Sequence, residues 1–132
     1  MKRALITLAA AASCALGVAA PTHAAPAISP HIAFPGETVR YFFSSDSPTG
    51  NTIRYYGASG GIVTRHNVRF EPTLINIGGP PRWHLAFQFT SPGRQLVGSQ
   101  HVSPKHSAQC KVYVAGSTVD SDYQPRRGIA TC

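Results

Sequence analysis

The stretch WHLAFQF, residues 83–89, alternates large apolar side chains with small or polar ones along its whole length. A period of two is typical of a β-strand with one buried face, because successive side chains of a strand point to opposite faces of the sheet. The turn residues that follow, Ser91-Pro92-Gly93, end the strand. We therefore expect a core strand with four inward side chains: Trp83, Leu85, Phe87 and Phe89.

Segments with the same period lie on both sides of this stretch and are separated by Gly, Pro, Asn, Asp or Ser. The further predicted strands are 38–43, 51–56, 62–70, 96–102, 110–114, 118–120 and 129–132. Two more sets of apolar residues are expected to face the core: Val39, Tyr41 and Phe43, and Ile62, Val68 and Phe70. Seven or eight short strands in roughly a hundred residues predict an all-β fold, an antiparallel immunoglobulin-like β-sandwich.

The first 24 residues have the layout of a secretion signal. Lys2 and Arg3 precede an uncharged run, and Thr22-His23-Ala24 has the small residues of a cleavage site. Cleavage after Ala24 leaves residues 25–132, enough for a single domain, in a secreted, periplasmic or cell-envelope location. The alternative is a retained membrane anchor, but a spanning helix requires about 20 strongly apolar residues. Acylation of Cys14 is disfavoured because the chain stays apolar after it.

Cleavage would leave two cysteines, Cys110 and Cys132. An even pair in an oxidising compartment predicts a disulfide. Zinc requires three or four ligands, and neither cysteine has a second Cys or a His at a metal-binding spacing, so no metal site is predicted. Removing Lys2 and Arg3 lowers the net charge from +7 to +5. The remaining basic residues form no run in the sequence, so we expect no nucleic-acid partner.

The sequence contains no recognisable catalytic motif, and we predict neither an enzyme nor a bound cofactor. Three of the five acidic residues lie in predicted turns, where they bond to nearby backbone. A small secreted hydrolase or nuclease is a minor alternative. The only local cluster suited to it is His84 with Glu71 and Arg82, and alternation places His84 on the solvent face.

A possible partner-contact face lies on the two segments before and after the glycine-rich turn 57–61. If segments 51–56 and 62–70 pair as a hairpin, four residues form an exposed patch: Arg54, Tyr56, Arg65 and Arg69. Arginine and tyrosine are favoured at protein interfaces. The alternative interpretation is an ordinary solvated sheet face.

The order of several segments resembles the MmpS family of mycobacteria and related actinobacteria. The resemblance rests on the motifs GETVRY (36–41), NTIRYYG (51–57), VTRHNVRF (63–70), CKVYVAGSTV (110–119) and the final ATC (130–132), and covers nearly all of residues 25–132. It implies a β-sandwich and an accessory role beside MmpL transporters of the resistance-nodulation-division type, which export lipids or siderophores. The implied partner is such a transporter or an envelope lipid, and the family members are not enzymes.

Two features depart from the family pattern. Phe70-Glu71-Pro72 stands where family members usually have Leu-Pro-Trp, and the cleavable signal stands where they usually have a transmembrane anchor. The alternative is therefore a freely secreted binding or antigen-like protein that serves no transporter.

Overall fold

The computed structural model describes residues 27–73 and 82–132, so the predicted secretion signal lies outside the described residues. Within them the chain forms eleven strands: β1 (His31–Ala33), β2 (Thr38–Ser45), β3 (Asn51–Tyr56), β4 (Ile62–Val68), β5 (Glu71–Pro72), β6 (Trp83–Thr90), β7 (Gln95–Val97), β8 (Ser99–Val102), β9 (Ala108–Val114), β10 (Ser117–Gln124) and β11 (Ile129–Thr131). In these two ranges no helix has the length and apolar character needed to cross a membrane.

Two sheets form a β-sandwich, as the sequence predicts. A five-stranded sheet has the order β10-β9-β2-β6-β5, and a four-stranded sheet has the order β11-β8-β3-β4. A separate ribbon pairs β1 with β7. Every pair is antiparallel, so the prediction of an all-β antiparallel fold is confirmed. Its immunoglobulin-like character stays a prediction.

The core lies between β2 and β3, the central strands of the two sheets. The inward side chains of β2 are Val39, Tyr41 and Phe43, and all three are fully buried, as predicted. Ile53 of β3 is fully buried opposite them. The four inward residues of β6 are only half-buried and pack around this core, because β6 lies one strand from the edge of its sheet. The centre of the core is therefore β2, not the stretch with the clearest alternation.

The strand number exceeds the predicted seven or eight for two reasons. Predicted strand 96–102 is divided at Gly98, after which the chain leaves β1 and joins the four-stranded sheet. Gly98 is required there, since a Cβ would lie 2.6 Å from the carbonyl oxygen of Ser29. The very short strands β1 and β5 also have too few residues to show a period.

A β-bulge in β4 corrects the predicted face of that strand. The register shifts so that Val68 lies opposite Asn51 but Arg65 lies opposite Ile53, and Asn67 adopts a φ of 52°. One extra residue reverses which side chains point inward. Val68 and Phe70 are buried as predicted, whereas Ile62 lies on the outer face and is 49% exposed.

The predicted disulfide between Cys110 and Cys132 is present, and both residues are fully buried. Cys110 belongs to β9 of the five-stranded sheet, and Cys132 directly follows β11 of the four-stranded sheet. The bond therefore ties the two sheets together from inside the core.

Candidate functional site

The predicted Arg/Tyr patch does not form a single face. Arg54 and Tyr56 lie opposite Thr64 and Ile62 on the outer face of the four-stranded sheet, and Arg54 donates to the Gln100 amide oxygen at 3.3 Å. Arg65 lies opposite the buried Ile53 and is therefore on the inner side of the sheet edge. Arg65 is exposed, and it points away from Arg54 because it is the neighbour of Thr64 in continuous register; the bulge follows Arg65 and reverses its face relative to Val68.

Arg69 is exposed and lies beyond the end of β4. The patch predicted from simple alternation is thus divided between two faces and a connecting segment.

The cluster considered for a hydrolase is partly brought together. Glu71 and His84 are direct cross-strand neighbours on β5 and β6. The Nδ1 atom of His84, however, lies 3.2 Å from the hydroxyl of Thr73, and the ring stacks on Phe42 with 6.0 Å between centroids. No hydrogen bond or ion pair joins His84 to the Glu71 carboxylate among the described residues, so this pair does not have the geometry of a general acid–base couple.

The outer face of the five-stranded sheet brings basic and aromatic residues together. Antiparallel register places the outward residues of neighbouring strands in rows across the sheet. One row contains Arg40 and Tyr113, and the next contains Phe42 and Lys111. Arg82, His84 and Tyr123 lie toward the far end. We call these seven residues the basic-aromatic face: Arg40, Phe42, Arg82, His84, Lys111, Tyr113 and Tyr123.

Each aromatic ring of the basic-aromatic face is paired with a basic side chain. The Arg40 guanidinium lies over the Tyr113 ring at 5.9 Å, and that of Arg82 lies over the Tyr123 ring at 4.8 Å. Arg82 also donates from Nη2 to the Tyr123 hydroxyl at 2.5 Å. The third pair is the stack of His84 on Phe42. The two arginine cation–π contacts position each guanidinium without neutralising its charge.

Most carboxylates of the described residues accept hydrogen bonds from groups that lie outside the basic-aromatic face. Glu37 accepts from the backbone N–H of Phe34, and Asp46 accepts from Ser103 and from the backbone of His106. The Asp120 carboxylate is hydrogen-bonded to the ring of His31, with 2.9 Å between Oδ2 and Nε2. Asp122 accepts from the backbone N–H of Thr131.

Glu71 is the exception, because it stands at the edge of the basic-aromatic face beside His84. Arg40 and Lys111 have no carboxylate partner in the described structure, so their charges are directed to solvent.

A hollow of about 240 Å³ adjoins one end of the face. Its lining consists of Thr38, Arg40, Gln88, Tyr113 and Gly116. These residues offer an aromatic ring, a guanidinium, an amide and a hydroxyl around one small space. The arrangement is suited to a polar ligand unit with one apolar side.

A larger groove of about 490 Å³ lies at the sandwich end, between the loop 58–60 and residues 92–96. Glycine, serine and proline supply much of its lining, and Arg94 is its one charged residue. It has fewer convergent polar side chains than the basic-aromatic face, which we regard as the better candidate site.

The sequence pattern does not predict the basic-aromatic face, because alternation identifies the inward residues and does not show which outward residues become neighbours. Arg40 and Phe42 alternate with the core residues of β2, and Lys111 and Tyr113 alternate with those of β9. The sequence signal therefore lies in the outward residues of β2 and β9. What the sequence could not supply was their adjacency, since β2 and β9 are distant in the chain and pair only in the folded sheet.

No protein-family model matches the chain, and no curated protein or solved structure shows significant similarity to it. Among residues 27–73 and 82–132, no three His, Cys, Asp or Glu residues come close enough together to hold a metal ion.

Proposed function

We propose that this protein is an exported, non-enzymatic binding protein of the cell envelope and that the basic-aromatic face is its contact surface. One observation carries the proposal: two arginine–tyrosine cation–π pairs and a His84–Phe42 ring stack lie together on one sheet face, and Arg40 and Lys111 have no carboxylate partner among the described residues. A face of this kind favours an anionic partner through charge complementarity. The buried disulfide suits a protein that works in an oxidising compartment.

The resemblance to the MmpS family supports an accessory role beside a transporter of the MmpL type. In that role the partner is the transporter or an envelope lipid that it exports. The antiparallel sandwich agrees with the fold that the resemblance implies.

A second candidate is a freely secreted binding protein with no transporter partner. The specific observation that favours it is the cleavage pattern Thr22-His23-Ala24, which would release the domain from the membrane. The two candidates share the same binding face and differ in where the mature protein resides.

Crosslinking in an actinobacterial host tests the proposal. The full chain is expressed as the native protein and as the double variant Arg40→Glu/Lys111→Glu, and envelope and culture filtrate are analysed after crosslinking. We expect the native protein to form an envelope adduct that the variant loses, because reversed charges repel an anionic partner. The matched control is Arg126→Glu/Arg127→Glu, which changes two exposed arginines in the turn before β11 by the same charge.

The outcomes separate the candidates. An adduct that contains a membrane transporter supports the accessory role, and a native protein found only in the filtrate supports free secretion. Equal adducts from the native protein and the face variant would contradict the assignment of the basic-aromatic face.

A further inference from the structure

We infer that the basic-aromatic face binds a linear anionic polysaccharide. This inference rests on the proposed function in one respect, namely that this face is the binding surface. It goes further by naming the chemical class of the ligand, and it requires no transporter.

The positions of the charges favour an extended ligand. Arg40 and Lys111 are outward residues of successive rows on the paired strands β2 and β9. Rows on one face are two residues apart, or about 6.8 Å along the strand. Arg82 reaches Tyr123 on β10 beyond these rows. The positive charges of Arg40, Lys111 and Arg82 therefore lie in successive rows along the strands and are spread over several strands. This arrangement matches a polymer with repeated negative charges better than a single compact anion.

The basic groups keep donors for the ligand. Arg40 has no carboxylate partner among the described residues, and the Arg82 guanidinium donates one hydrogen bond there, from Nη2 to the Tyr123 hydroxyl. A guanidinium has five N–H donors in a planar fork that can bond two oxygens of a carboxylate, sulfate or phosphate group. Holding each guanidinium over a ring reduces the side-chain freedom that would be lost on binding.

The hollow beside Tyr113 favours sugar units. A sugar ring has an apolar C–H side and a rim of hydroxyls, and the hollow offers an aromatic ring with the Gln88 amide and the Thr38 hydroxyl around it.

A membrane surface fits the face less well, because insertion requires exposed apolar bulk. Ile32, Leu96 and Ile62 are exposed but lie off the basic-aromatic face, and the exposed ring of Tyr123 on that face is covered by the Arg82 guanidinium.

Binding of defined polymers to the purified full chain tests the inference, with calorimetry as the readout. The probes are polygalacturonate and heparin as anionic glycans, dextran as a neutral glycan, single-stranded DNA, and vesicles containing phosphatidylglycerol. We expect the anionic glycans to bind in a salt-dependent manner and dextran not to bind. Arg40→Gln/Lys111→Gln should weaken this binding about tenfold, because it removes two charge-assisted contacts.

Two further variants make the test specific. Tyr113→Ala keeps the net charge, so a loss of affinity in this variant shows that the hollow takes part rather than charge alone. Arg126→Gln/Arg127→Gln removes the same charge elsewhere and should bind as the native protein does. Tighter binding of DNA or vesicles than of any glycan would overturn the inference, as would an equal loss in the Arg126/Arg127 variant.

The result is separable from that of the crosslinking experiment. If the native protein forms its envelope adduct through this face but binds no anionic glycan, only the ligand class is wrong. If it binds the glycans but leaves no adduct in the envelope, the envelope role is wrong and the ligand class stands.

Discussion

His101 is fully buried on β8, and both of its ring nitrogens face hydrogen-bond acceptors. Nε2 lies 3.0 Å from the Asn51 side-chain oxygen, and Nδ1 lies 3.2 Å from the Gln109 carbonyl oxygen. The Asn51 amide is oriented by its own donation to the Ser47 carbonyl at 2.9 Å. A neutral imidazole can donate to only one of the two acceptors.

Burial decides the charge of this ring. Desolvation lowers the pKa of His101 from 6.5 to about 4, although the Gln109 carbonyl and the charge of Asp46 both favour the protonated form. His101 is therefore neutral near pH 7, and the folded state resists its protonation.

We expect acid to destabilise the protein through His101. The folded pKa is below the unfolded one, so the unfolded state binds more protons and stability falls as the pH decreases from about 6.5 toward about 4. The full loss is about 3 kcal/mol by the conversion of pKa into free energy. Urea unfolding at a series of pH values measures it.

The variant His101→Gln should show a shallower decrease of stability over the same pH range, because it removes the titrating group. His66→Gln, which changes an exposed histidine, is the matched control and should keep the native slope. A native slope in His101→Gln would contradict the assignment. Asp46 contributes separately: burial raises its pKa, but hydrogen bonds from His106, Ser107 and Ser103 outweigh burial and lower it.

At the scale of the strand, β4 forms the open edge of the four-stranded sheet. Open edges can pair with a second chain, and proteins prevent this with bulges and with inward-pointing charges. β4 has both features, since the bulge ends at Val68 and Arg65 lies on the inner side opposite Ile53. The position of Arg65 is thus better explained by protection of this edge strand from pairing with a second chain than by a contact face.

Arg65→Val is therefore expected to promote self-association. The change removes the arginine that guards the unpaired backbone groups of β4, and sedimentation at increasing protein concentration should reveal dimers or larger species. Arg69→Val removes the same charge from an exposed position beyond the end of β4 and should stay monomeric to the same extent as the native protein. Equal association of both variants would show that net charge, not the edge, is responsible.

The strands differ in how far their sequences predict them, for physical reasons. Alternation is a geometric property of a regular strand, and it correctly placed Val39, Tyr41 and Phe43 in the core. A bulge adds one residue without changing composition, so the reversed face of β4 was hidden apart from the weak signal of Asn67, a residue type that tolerates positive φ. The break at Gly98 depends on the distant Ser29, which local pattern cannot reveal.

The candidate site also could not be predicted fully from local sequence, because it depends on which strands pair. That Arg40 and Lys111 point outward follows from their own strands, but that they become neighbours follows only from the pairing of β2 with β9. Scattered charges in a sequence can therefore form one surface when a sheet brings strands together.

At the scale of the whole molecule, the Cys110–Cys132 disulfide connects the two sheets across the core. Cys132 is also held without it, because its backbone N–H donates to the Ser99 carbonyl at 2.7 Å and its carbonyl accepts from the Ser99 N–H at 2.6 Å. Removal of the disulfide should therefore leave the sandwich assembled but less stable.

We expect Cys110→Ala/Cys132→Ala to lower the free energy of unfolding by about 3 kcal/mol, the chain-entropy value for a loop of this size. Urea unfolding at neutral pH compares this variant with the oxidised native protein and with the reduced native protein, which controls for loss of the side chains. Lys111 points to the opposite side of β9 from Cys110, so polymer binding by the folded variant should be unchanged. A variant that is as stable as the oxidised protein would refute the structural role of the disulfide. A variant that is folded but loses binding would show that the disulfide also shapes the basic-aromatic face.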